Sequence, residues 1–404
     1  MNIFEIPRNV EKIITRLEAA GFETWLVGGC VRDILLSRKV NDWDIATSAK
    51  PENVIGIFEK TVPTGIKYGT VTVILDGSKA EVTTFRSESS YEDCRRPSNV
   101  IFGEDISADL SRRDFTINAM AYHPERGIFD PFCGQDDLEN RLVRAVGEPD
   151  ERFREDALRI LRAFRFAAQL GFDVELLTLK AADRNAVLVE KVSCERIKSE
   201  LERILLSERP SEATKLVDCG ALDFLGLIPT LHTEILPKIP NVSAVRWAAF
   251  LYLCTPSPHD PNGTILDRLR FDSRTRSVTL WLMAELEREQ PLPIDAAGIK
   301  RRLSSGVLPE IYAKYLKLYH VLNGCDTTHI LKTLDTVIKS GEPYSVRMLA
   351  VNGSDIVSAG IGKGEECGRI LKLLLEKTIE NPALNSKNVL LQLAKEFKNG
   401  MNHF

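Results

Sequence analysis

The stretch Leu26 to Thr47, LVGGCVRDILLSRKVNDWDIAT, constrains this chain more than any other. A short apolar run, Trp25 to Val27, meets Gly28-Gly29, and Cys30 to Leu35 follows with helical patterning. Asp42-Trp43-Asp44 then opens a second apolar strand through Ile45. Residues two apart in a strand share a face, so Asp42 and Asp44 are expected to set two carboxylates side by side. Like charges at that range resist joint ionisation unless a cation lies between them. Hard divalent cations such as Mg²⁺ take oxygen ligands of this kind and share them with phosphate oxygens. A glycine pair ahead of a helix start leaves room and free N–H groups for phosphate. Taken singly, Asp-x-Asp is a common surface pattern and Gly-Gly a common turn; joined in this order they point to nucleotide chemistry.

Taken in order, the chain predicts a helix over Pro7 to Ala20, with Val10, Ile13, Ile14 and Leu17 at helical spacing and Gly21 as its stop. A second helix runs from Pro51 to Phe58, and Val71–Leu75 and Glu81–Phe85 form a hairpin about Asp76-Gly77. Glu81 and Thr83 share a face of that second strand, so Glu81 either joins Asp42 and Asp44 or is an edge-strand charge. From Arg86 to Leu110 periodicity is lost, which suits a functional lid or disorder; Arg95 and Arg96 lie in it. Ser111 to Tyr122, SRRDFTINAMAY, is helical in pattern, with Arg112 and Arg113 at its start, and Ile128–Phe132 followed by Gly134–Leu138 reads as a strand and turn. Glu151 to Gly171 predicts one long helix, with Leu158, Leu161, Phe164 and Ala168 inward and Asp156, Arg159, Arg162 and Arg165 at one-turn spacings beside Arg154. These charges form an exposed ion-pair ladder or a binding face. Another helix opens after Ser193, carrying Glu200 and Arg203.

The strings GGCVRD, DWDIAT, RRDFTINAM, IFDPFCGQDDL and EDALRILRAFRFAAQLGF together resemble the class II tRNA nucleotidyltransferase and bacterial poly(A) polymerase family, in its Gram-positive CCA-adding form. The resemblance covers residues 25–205 firmly and about 345–395 more loosely. It implies an α+β fold: a small mixed-sheet nucleotidyltransferase head over 1–140, then an all-α neck over 141–205, body over 206–335 and tail over 336–404. It further implies two Mg²⁺ on Asp42 and Asp44, with Glu81 as third carboxylate. Gly28, Gly29, Arg32 and Arg113 would cradle the triphosphate, and Asp156 and Arg159 would select the base, supported by Arg162 and Arg165. CTP and ATP are the implied substrates, the 3′ end and acceptor arm of tRNA the implied partner, and a homodimer the implied assembly. The segment 86–110 corresponds to a family loop that reorganises during addition; relatives adding only cytidine lack part of it. The SCERIKSELERIL helix corresponds to an element bracing the selecting helix.

Selection without a template follows from hydrogen-bond inventories. Cytosine and adenine each place an exocyclic amino donor beside a ring-nitrogen acceptor, whereas uracil and guanine reverse the pattern. An ionised Asp only accepts and an Arg only donates. Asp156 at the amino group and Arg159 at the ring nitrogen would suit CTP and ATP and oppose UTP and GTP. A bidentate contact of this kind discriminates by roughly 1–3 kcal/mol, and unpaired buried polar groups raise the penalty to about 10⁴-fold.

Beyond the neck the pattern is helical. Arg268, Arg270, Arg274 and Arg276 cluster, as do Lys300, Arg301 and Arg302, on an RNA backbone or on solvated surface. Gly360, Gly362, Gly364 and Gly368 flank an apolar helix from Ile370 to Thr378, resembling a helix-hairpin suited to nucleic acid. Net charge is −4, so a nucleic-acid partner must be held by local basic patches. Eight cysteines without a C-x-x-C pair, no membrane-length apolar run and no signal-like start lead to the expectation of a cytoplasmic protein in a reducing compartment. Two other readings stay open: an A-adding or poly(A)-adding relative, and an inactive RNA-binding protein on the same scaffold.

Overall fold

The computed structural model describes residues 6–92, 96–103, 105–230, 232–256, 258–288 and 291–401. Helix α1 (Arg8–Ala19) buries Val10, Ile13, Ile14 and Leu17, the stripe its spacing predicts. Strand β1 (Thr24–Val27) is buried throughout and runs through Gly28 into α2 (Gly29–Leu35). Next come β2 (Asp44–Thr47), α3 (Pro51–Ile57), β3 (Thr61–Gly65), β4 (Thr70–Leu75) and β5 (Ser78–Thr84). A separate hairpin, β6 (Arg86–Glu92) with β7 (Arg96–Phe102), precedes α4 (Ile106–Ser111); β8 (Ala121–His123), β9 (Gly127–Phe129) and α5 (Gly134–Glu139) follow.

The seven-stranded sheet has the order β3-β4-β5-β2-β1-β8-β9, mixed because β2 and β5 pair in parallel while the other neighbours are antiparallel. Strand alternation sorts its side chains into two cores. Leu26, Ile45, Val71, Val73 and Val82 join α1 on one face; Trp25, Val27, Ala46 and Phe85 face Leu110 and Ala121 on the other. Beyond the sheet, β10 (Leu142–Val143) leads to α6 (Pro149–Glu155) and α7 (Leu158–Leu170). Then β11 (Asp173–Val174), α8 (Leu176–Asn185) and α9 (Cys194–Leu205) complete the described neck. Ala163, Phe166 and Ala167 of α7 extend the core beneath the first sheet face.

Contacts divide the chain into two compact units, residues 1–237 with 253–271, and 238–252 with 272–404. The second is helical, and its C-terminal helices, Gly353–Ser358, Glu365–Glu380 and Lys387–Met401, share a core of Ile356, Ile370, Leu374, Leu390 and Ala394. Within that unit Arg301 and Arg302 lie 2.9 and 3.2 Å from Glu376 and Glu285, and buried Lys300 pairs with Glu342. That cluster braces its own unit. Among the described residues no helix is long and apolar enough to cross a membrane.

Four local expectations are corrected. Arg86–Glu92 and Arg96–Phe102 are not irregular but pair as two strands, which lack the apolar alternation by which buried strands are read, while Arg95 lies outside the described residues. The expected helix over Ser111–Tyr122 is absent: α4 ends at Ser111, Thr116–Asn118 make one 3₁₀ turn, and β8 begins at Ala121. Arg112 and Arg113 therefore follow a helix end rather than open a helix. The helix over Glu151–Gly171 is two helices, broken at Asp156-Ala157, where Asp156 is extended. Asp42 precedes its strand, which starts at Asp44, and is exposed.

Candidate active site

Gly28 sits at φ +74°, a region that residues with a β-carbon resist, and a Cβ there would lie 2.6 Å from Arg113 Nη1. The backbone thus requires glycine, and a side chain there would also push the Arg113 guanidinium aside. The turn delivers Gly29 to the start of α2 and places Arg32 within it. Arg32 donates to Asn118 Oδ1 and pairs with Asp33 at 2.8 Å.

Asp44 opens β2, and the parallel register sets it directly against Glu81 of β5. Asp42, two residues earlier, lines the same cleft of about 820 Å³, together with Gly28, Gly29, Arg32 and Arg113. Burial pushes the Asp44 carboxyl up; Arg113 pulls it down, Glu81 and Asp42 push it further up, and it stands at about 6. Among the described residues no three His, Cys, Asp or Glu side chains enclose an ion by themselves. A partly buried carboxylate beside Glu81 and near enough to Asp42 to feel its charge suits a hard cation whose remaining ligands come from phosphate and water. The donor set therefore fits Mg²⁺.

Arg113 lines the cleft beside Gly28. Its Nη2 donates to Asp109 Oδ2 at 3.0 Å, and among the described residues its buried Nε has no hydrogen-bond partner. Burial works to raise the Asp109 carboxyl, but Arg113 and Arg112 outweigh it and hold it below the usual range. A fixed anion behind it aims Arg113 into the cleft, where a phosphate would meet its remaining donors.

The break between α6 and α7 exposes the second group. Asp156 accepts from the Leu158 N–H at 3.1 Å and from Arg196 Nη2 of α9 at 2.9 Å. Arg159 donates to Glu155 Oε2 at 2.7 Å and to the Arg112 carbonyl at 2.8 Å. Both line the cleft that holds Asp42 and Asp44. Arg162 and Arg165 line it too, whereas the side chain that holds Asp156 is Arg196. Arg162 Nε binds Asp114 at 2.7 Å. Burial would raise the Asp114 carboxyl, yet Arg162, a hydrogen bond from Asn118 and Arg159 hold it at about 2. Arg165 pairs with Glu200 and stacks on Phe166 at 3.9 Å. Arg154 is exposed and lies outside the cleft.

Residues 112–114 therefore join the two groups: Arg112 bonds to Arg159, Arg113 closes on Gly28, and Asp114 holds Arg162. Sequence reasoning missed Asn118, Asp114, Arg196 and the cleft-lining Arg203. Arg196, Glu200 and Arg203 recur on one face of α9 at helical spacing, which was the available signal.

Comparison with known proteins finds similarity along nearly the whole chain. Residues 24–144 match the family model described as the poly A polymerase head domain, and residues 171–234 match a probable RNA and SrmB-binding site of polymerase A. A CCA-adding enzyme of Pediococcus pentosaceus is 52% identical over 95% of this chain and 97% of its own. One from Limosilactobacillus fermentum is 36% identical over 98% and 99%. The crystal structure of the Bacillus stearothermophilus CCA-adding enzyme in complex with CTP superposes with a TM-score of 0.81 at 29% identity, covering 98% of each chain.

Proposed function

The chain belongs to the CCA-adding enzymes of the tRNA nucleotidyltransferase and poly(A) polymerase family, and from that premise we infer that it builds or repairs the 3′-terminal CCA of tRNA from CTP and ATP without a nucleic-acid template. One observation carries this reading: a single cleft is lined both by the carboxylates Asp42, Asp44 and Glu81 and by the pair Asp156 and Arg159. The first group does chemistry that ignores the base; the second reads it.

Gly28, Gly29, Arg32 and Arg113 receive the triphosphate. Asp156 accepts from the exocyclic amino group of cytosine or adenine while Arg159 donates to the ring nitrogen. Arg196 and Glu155 orient these two side chains, and Arg162, fixed by Asp114, supports the ribose side. Asp42 and Asp44 would hold two Mg²⁺, which when bound lower the pKa of the RNA 3′-hydroxyl and neutralise the triphosphate. Glu81, beside Asp44, keeps that wall anionic. The 3′-hydroxyl gives its proton to water as its oxygen bonds to the α-phosphorus, the bond from that phosphorus to the bridging oxygen breaks, and pyrophosphate leaves. The helical units beyond residue 205 would dock the acceptor arm of the tRNA, with the reaction taking place in the cytoplasm.

The test uses tRNA transcripts lacking CCA or ending in CC, each with one nucleotide at a time. CMP is expected on the first and AMP on the second, with UTP and GTP refused. AMP addition alone assigns the chain to A-adding relatives, long adenylate tails assign it to poly(A) synthesis, and no incorporation with Mg²⁺ overturns the enzyme reading.

A further inference from the structure

A second cleft of about 460 Å³ adjoins the first, sharing Arg32 and Phe166 with it. Its remaining wall includes Arg38, Lys39 and Asn41 from the link between α2 and β2, Gln169 at the end of α7, and Glu208 just past α9. Asn41 of this cleft and Asp42 of the first are neighbours in the chain. Arg159 lies near the start of α7 and Gln169 near its end, about 15 Å apart at 1.5 Å per helical residue. The base reader and this cleft therefore lie toward opposite ends of α7.

The charges on this wall say what it can hold. Arg38 is exposed, and among the described residues its side chain makes one hydrogen bond, from Nη1 to the Gln169 carbonyl at 3.2 Å. Lys39 is exposed and forms no ion pair among the described residues. Asp33 is already neutralised by Arg32. Glu208 is exposed on the same wall without an ion pair among the described residues. Pyrophosphate, dense in negative charge, would be repelled by a free carboxylate. A ribose-phosphate strand suits the mixture, since each residue offers a phosphate for a cation and a 2′-hydroxyl that donates to a carboxylate.

Resting on the nucleotidyl-transfer reading, we propose that this second cleft holds the backbone of the last nucleotides of the RNA acceptor, with Arg38 and Lys39 on its phosphates and Glu208 on a 2′-hydroxyl. An acceptor lying there brings its 3′-oxygen toward the carboxylates past Arg32, which both clefts share.

The test compares wild type with Arg38→Ala/Lys39→Ala, and with Lys39→Ala alone, whose exposed side chain leaves folding undisturbed. CMP addition to a CCA-less tRNA by the wild type first establishes the underlying reading. The double variant is expected to raise KM for tRNA about tenfold and to flatten the dependence of log KM on log salt by about 1.4, two cations on single-stranded RNA. The single variant should give about half that slope change. KM for CTP and inhibition by added pyrophosphate stay unchanged. Glu208→Ala should raise KM for a normal acceptor while barely affecting one whose terminal nucleotides are 2′-deoxy. An unchanged KM for tRNA overturns the proposal. Weakened pyrophosphate inhibition with unchanged tRNA KM does so as well, and makes the cleft the exit of the leaving group.

Discussion

The two halves of the cleft are held in place by different means. Asp44 and Glu81 face each other because β2 and β5 are in register, and Gly28 meets Arg113 because the backbone turns at positive φ. Main-chain geometry sets that half. Asp156 and Arg159 sit at a helix break, where side chains share the positioning with main-chain groups: Arg196 with the Leu158 N–H on one, Glu155 with the Arg112 carbonyl on the other. The contrast follows from the work of each half. Nucleotidyl transfer is the same at every step, so its groups gain from rigid placement. On the proposed reading Asp156 and Arg159 take a pyrimidine and then a purine, and ion pairs between long side chains shift more easily than strand register.

Predictions that test this contrast begin at the carboxylates. Asp42→Ala or Asp44→Ala should lower CMP and AMP incorporation alike by about 10³-fold or more, since the metal contribution amounts to several kcal/mol. Binding of tRNA, measured by filter retention, should hold; retained turnover would remove these residues from the metal site. Gly28→Ala comes next, at about 1–3 kcal/mol of backbone strain plus displacement of Arg113. Here kcat/KM for CTP and ATP should fall by the same factor, and a base-dependent loss would blur the division between halves.

Arg159→Ala should act on the other half. Selectivity for CTP over UTP should shrink by about 1–3 kcal/mol, and competition assays with mixed nucleotides read this directly; unchanged selectivity takes Arg159 out of the reader. Asp114→Asn tests the joint between the halves. Because the folded protein holds Asp114 near 2, its carboxylate stabilises the fold fully above pH 4, and the contribution of about 2 kcal/mol fades as pH falls from 4 through 2. The gap in urea midpoint between wild type and variant should therefore narrow over that interval; a gap constant with pH would show that the ion pair is not its source. The smallest effect is expected from Arg196→Ala, about 1 kcal/mol of selectivity lost as Asp156 gains freedom. An equal loss for all four nucleotides would make Arg196 a brace of the fold instead.

Much of this was legible before any coordinates. The strand, glycine pair and helix from Trp25 to Leu35 lie where the pattern placed them, since apolar runs and glycine punctuation are local signals. Arg112 to Tyr122 was misread because Phe115, Ile117, Ala119 and Met120 imitate a helical stripe, while tertiary packing splits them between two cores of the sheet. The break at Asp156 escaped notice because residues on either side keep good helical spacing. It shows only where the Asp156 carboxylate caps the Leu158 N–H and turns to Arg196. Partnerships such as Asp114 with Arg162 join distant parts of the chain and have no local signature.

The parallel pairing of β2 with β5 carries a consequence for folding. The β4–β5 hairpin closes through a tight turn, whereas β2 reaches β5 only after α3, β3 and β4 have been threaded between them. Non-local pairings of this kind form late. Asp44 therefore meets Glu81 only when the sheet is nearly complete, and a nascent or half-folded chain has no assembled carboxylate wall with which to capture a metal ion or a nucleotide.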